Sequence, residues 1–128
     1  MNKNGFIAVN LDDASQEKLR EVFPPRHKKE FYHHLTVVFK PEEDIYETFK
    51  PHFGSEVTMS VMGEVFDGKG QAALVSCNLS RNNHPHVTLS CSEGIAPNYS
   101  NQMLEENTGL ALSKPFVISG TLAWKDRD

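Results

Sequence analysis

Two short runs of this 128-residue chain carry the same polar pair, His34-Leu35-Thr36-Val37 and His86-Val87-Thr88-Leu89. Imidazole titrates near neutral pH. A neutral ring can take a proton from water or a ribose hydroxyl, and a protonated one can give a proton to a leaving oxygen. Threonine hydroxyls can donate hydrogen bonds to the nonbridging oxygens of a phosphate, holding phosphorus in line and stabilising charge as it develops. Two histidines and two threonines in one cleft are therefore sufficient parts for phosphodiester cleavage without a metal. Proton transfer of this kind contributes ~100 to 10,000-fold in rate, so loss of either histidine is expected to be severe. A single His-x-Thr is ordinary strand sequence, because threonine suits a half-buried sheet face. The repetition in matching apolar contexts is what points to chemistry.

Positioning these groups requires strands. Side chains alternate across a strand, so over 32 to 39 His34 and Thr36 share one face while Leu35, Val37 and Phe39 take the other. Likewise His86 and Thr88 oppose Val87, Leu89 and Cys91. The apolar run at 6 to 11 reads as a strand, and "DDASQEKLREVF" as a helix with an aspartate cap, stopped by Pro24-Pro25. Residues 42 to 53 suggest a short helix interrupted near Pro51. The runs at 56 to 66 and 71 to 79 flank "DGKG" as a hairpin. A helix is expected from about 99 to 106 and a final strand over 115 to 124. The order β-α-β, hairpin, β-α-β predicts one α+β domain over residues 1 to 128, in which two related lobes each supply a His-x-Thr strand.

Composition narrows the function classes. A net charge of -4 argues against a protein that grips long nucleic acid through its overall field, and favours a small anionic ligand. The two cysteines, Cys77 and Cys91, have no CxxC spacing and fall in apolar strands, so inert thiols in a reducing, cytoplasmic setting are expected. The N-terminal apolar run is too short for a signal peptide, and nowhere are there the ~18 apolar residues of a membrane span. No cofactor and no obligate protein partner is implied.

Several neighbours could serve the same cleft. His84 shares the face of His86 by alternation, whereas His33 faces away from His34. Four clustered histidines could instead bind zinc, although no carboxylate falls at a matching ligand position within either motif. Arg26, Lys28 and Lys29 form a basic loop that either steers an anion or is simply solvated. Tyr32, on the face of His34, could stack a base or merely pack. The loop from Glu93 to Tyr99 leads into a helix whose amides could meet a phosphate, and Ser100 is a substrate contact or a helix cap. Trp124, the only tryptophan, is either a core plug or a stacking surface for a base.

Two His-x-Thr strands about fifty residues apart in a small α+β domain resemble the 2H phosphoesterase superfamily. The specific similarity lies in residues 32 to 40 and 84 to 104. The stretch "HVTLSCSEGIAPNYSNQML" resembles the second-motif region of myelin-type 2',3'-cyclic nucleotide 3'-phosphodiesterases, and is similar to phage anti-CBASS phosphodiesterases acting on cyclic oligonucleotides. "NYSN" at 98 to 101 departs from the Gln-Thr-Gly signature of the myelin type. The resemblance implies a two-lobed fold around a central cleft, metal independence, His34 and His86 as the acid/base pair, and Thr36 and Thr88 as phosphate-binding hydroxyls. Substrates would be 2',3'-cyclic phosphates or 3',5'-linked cyclic oligonucleotides. A non-catalytic nucleotide- or RNA-binding module and a metal-dependent hydrolase are the competing readings.

Overall fold

Alternation of apolar residues builds the core of this protein, described by a computed structural model covering residues 5–81, 84–106 and 110–126. Strand β1 (Gly5–Leu11) turns Ile7, Val9 and Leu11 inward. Helix α1 (Asp13–Val22) follows at once, because Asp12 caps it: its Oδ1 accepts from the Ser15 amide at 2.7 Å. Leu19 of α1 is buried against the strands. The short β2 (Lys29–Glu30) precedes β3 (His34–Phe39), then α2 (Glu43–Phe49) with a 3-10 turn over Lys50–His52. The hairpin β4 (Glu56–Phe66) and β5 (Gly70–Ser76) turns on Asp67, whose Oδ1 accepts from the amides of Lys69 and Gly70 at 2.8 and 2.9 Å. Strand β6 (His86–Cys91), α3 (Tyr99–Glu106) and β7 (Leu110–Asp126) complete the chain.

The expected α+β class holds, with mostly antiparallel strands and three helices among the described residues. The strands do not part into two sheets in separate lobes, however. They run β2-β6-β3-β1-β7-β4-β5, and β5 pairs back onto β6, so six strands close into a barrel. Closure removes the free edges that two small sheets would expose. Leu35, Val37, Met59, Val61, Val75, Val87, Leu89, Ile118 and Leu122 fill the interior. The two His-x-Thr strands thus become neighbours in one wall, with Leu35 opposite Val87 in antiparallel register.

Where β7 passes β1, a side chain on Gly120 would collide with the Asn10 carbonyl oxygen. Gly120→Ala should therefore destabilise the protein by about 1–3 kcal/mol, the usual cost of overpacking, read as a lower denaturant midpoint with an unchanged slope.

Among the described residues, no helix is long and apolar enough to cross a membrane.

Candidate active site

The apolar partners of the His-x-Thr pairs point into the barrel, which leaves His34, Thr36, His86 and Thr88 on its outer wall. All four line one cleft of about 570 Å³, a volume within the range of small-molecule sites. The Leu35–Val87 register sets His34 directly across from Thr88 and Thr36 directly across from His86, so the two histidines stand on a diagonal. On β1, Ala8 lies opposite Thr36 and is fully buried.

Phe6, Phe31 and Phe39 form an aromatic wall, and Ala96, Pro97, Asn98 and Asn101 close the other side from the entry to α3. Phe39 is not on the core face that simple alternation assigns it. The β1–β3 register slips between Ile7 and Ala8: Ile7 pairs with Val38 and Ala8 with Thr36, so Val37 is the extra residue of a bulge. Beyond it the faces exchange. Phe39 becomes 51% exposed beside Phe6, with ring centroids 6.3 Å apart. No periodicity in the sequence announces a bulge, which is why this wall was not expected.

Each catalytic candidate has a definite environment. His86 is buried, and its Nδ1 lies 2.7 Å from the His84 carbonyl oxygen. A carbonyl can only accept, so Nδ1 carries a proton and the neutral ring keeps its lone pair on Nε2. Burial pulls the His86 pKa below the usual imidazole value, partly offset by that hydrogen bond. His34 is pushed down to about 3, by burial first and then by the charges of His33, Lys125 and His86. At neutral pH His34 is therefore uncharged.

The Thr88 hydroxyl lies 2.9 Å from Ser100 Oγ and 3.4 Å from the Pro97 carbonyl. Ser100 is only 1% exposed, so it does not meet a ligand as expected; it orients Thr88 instead. With the Ser100 proton given to Thr88, the threonine proton goes to the Pro97 carbonyl in a long 3.4 Å bond, one that a stronger acceptor in the cleft can replace. If the cleft turns over a substrate held by Thr88, Ser100→Ala should lower kcat about two- to tenfold at unchanged stability of the barrel, the worth of one neutral hydrogen bond, measured at saturating substrate.

Three other expected substrate contacts are elsewhere. Tyr32 is fully buried rather than at the cleft floor: it precedes β3 with a left-handed φ of 60°, and this turns its ring inward. Its hydroxyl donates to the Phe23 carbonyl at 2.7 Å, the Arg20 guanidinium lies 4.2 Å from its ring centre, and burial pushes its pKa up to about 12. Trp124 pairs with Ile7 and turns to the core side, packing edge-on against Tyr46 with centroids 5.2 Å apart; it does not border the cleft. His84 contributes its carbonyl, while its ring lies 3.5 Å from Glu105 on α3.

The same left-handed turn at Tyr32 breaks the alternation that separated His33 from His34. Both rings line the cleft, and their Nδ1 atoms are 2.6 Å apart. The basic loop is largely committed: Arg26 forks onto Glu64 at 2.9 and 3.2 Å, and Lys28 lies 3.4 Å from Glu93. Among the described residues, no lysine or arginine lines the cleft. Among the described residues, no three His, Cys, Asp or Glu side chains gather closely enough to hold a metal ion.

No model of a known protein family and no curated protein sequence matches the chain.

Proposed function

We propose that this protein is a phosphodiesterase that cleaves cyclic phosphodiesters of nucleotides or oligonucleotides, with His34 and His86 exchanging protons and Thr36 and Thr88 holding the phosphate. The observation that carries this reading is the convergence of both His-x-Thr pairs, from adjacent antiparallel strands, in a single cleft. A phosphate seated over the wall has an imidazole and a hydroxyl on each side of it. The anion itself favours the imidazolium form, so substrate binding offsets the burial that holds the free rings neutral. Phe6, Phe31 and Phe39 supply a surface on which a base can stack, which suits a nucleotide better than a bare phosphate ester. The finer resemblance to a 2H-type architecture rests on the two motif strands, here side by side rather than one to a lobe.

The substrates are 2',3'-cyclic phosphates or 3',5'-linked cyclic oligonucleotides. In the latter, the 2'-hydroxyl is a nucleophile within reach of the scissile phosphorus, with water completing hydrolysis. Assays of both classes in EDTA test the reading across pH. The expected result is a bell-shaped rate profile unaffected by the chelator. Loss of activity in EDTA favours a metal-dependent hydrolase, and recovery of bound, uncleaved ligand favours a sequestering module.

A further inference from the structure

We propose that His33 is a positioning residue for His34, meeting it through Nδ1 so that Nε2 of His34 is presented to the cleft as the proton acceptor. The consequence for turnover rests on the phosphodiesterase reading; the geometry does not. The two Nδ1 atoms are 2.6 Å apart, the ring planes differ by 24° and the centroids are 4.6 Å apart. Rings lying face to face keep their atoms about 3.5 Å apart, so these rings meet edge to edge, close to in plane.

A gap that short holds one proton. Two N–H groups cannot point at each other across it, so one nitrogen donates and the other accepts. The pair therefore carries at most one positive charge. With the shared proton on His34 Nδ1, neutral His34 keeps a bare Nε2 and is a base. With it on His33, His34 presents an N–H and cannot accept.

The first arrangement repeats what is built at His86. There a carbonyl anchors Nδ1 and leaves Nε2 free; at His34 an imidazole takes the place of the carbonyl. The difference is that a carbonyl is a permanent acceptor and His33 is not. His33 is exposed, and once the pair takes up its single proton both rings are capped at Nε2 and His34 ceases to be a base. The groups facing His34 are His33, Lys125 of β7, His86 of β6, the Phe6 ring at 5.3 Å, and Asn10 of β1 in register with it. The Asn10 Oδ1 is buried without a hydrogen-bond partner. None of these is a carboxylate, so among the described residues His33 is the one titratable acceptor against His34 Nδ1.

The test is nitrogen NMR of the imidazoles in the free, labelled protein near pH 7.5, combined with kinetics. The spectrum should show His34 protonated at Nδ1 and bare at Nε2. His33→Phe should lower kcat about ten- to hundredfold, as loss of an orienting partner does elsewhere, with KM within about twofold. His33→Gln, which keeps a carbonyl acceptor, should restore kcat to within about threefold and leave the acid limb to a single group. A bare Nδ1 on His34 in the spectrum overturns the proposal. So does wild-type kcat with raised KM in His33→Phe, which makes His33 a substrate contact only. If the wild-type protein cleaves no cyclic phosphodiester, the function fails while the spectrum still decides the pairing.

Discussion

Alanine at His34 or at His86 should lower kcat by about 100 to 10,000-fold, because in the proposed reaction each removes one half of a proton exchange that no other described group in the cleft is placed to perform. The remaining lining groups are hydroxyls, amides, phenyl rings and His33, and His33 is held against His34 rather than opposite it. The double variant should be little worse than the poorer single one, since an acid without its base has no work to do. The fold should survive, as both rings lie on the outer wall while Leu35, Val37, Val87 and Leu89 of the same strands fill the core. Single-turnover rates at saturating substrate, with circular dichroism of each variant, separate lost chemistry from lost structure.

The second large effect is on stability in acid. Folding holds His34 neutral with a pKa of about 3, whereas an unperturbed imidazole protonates near 6.5. The stabilisation is fully present above about pH 6.5 and is lost as pH falls from there toward 3, because the unfolded chain binds the proton first. Between pH 7.5 and 4.5 this one group accounts for about 2 to 3 kcal/mol. His86, also depressed by burial, adds a loss of the same sign. Carboxylates such as Asp12, lowered by hydrogen bonds from Ser15 and Ser119, contribute too, so the histidine share is read as a difference. Urea unfolding of the wild type and of His34→Gln at both pH values should show a smaller acid loss in the variant. Inorganic phosphate should oppose the loss in the wild type, since an anion in the cleft favours the imidazolium.

The elements were largely legible because their signals are local. Asp12 before α1, Pro24-Pro25 after it, the Asp67-Gly68 turn and the apolar runs each act within a few residues. The core-facing partners of His34, Thr36, His86 and Thr88 followed from strand alternation alone. What the sequence hid depends on pairings between distant strands. Closure of the barrel by β5 and β6 is a long-range choice, and it turns two expected lobes into one wall. The bulge at Val37 and the left-handed Tyr32 each reverse a face, sending Phe39 and His33 to the cleft and Tyr32 to the core. Around the cleft, simple alternation fails at those two points. Trp124 followed its strand inward, as Ile7 across from it requires. Ser100 lies one residue into α3, where its side chain reaches Thr88 rather than a ligand.

Whether His34 and His86 together cleave cyclic phosphodiesters is decided by chromatography of the products formed from 2',3'-cyclic nucleotides and cyclic di- and trinucleotides by the wild type, His34→Ala and His86→Ala, side by side in EDTA. A phosphodiesterase that works through both histidines gives a linear, phosphate-bearing product from at least one substrate with the wild type, and almost none with either variant. Full activity in either variant would contradict that mechanism.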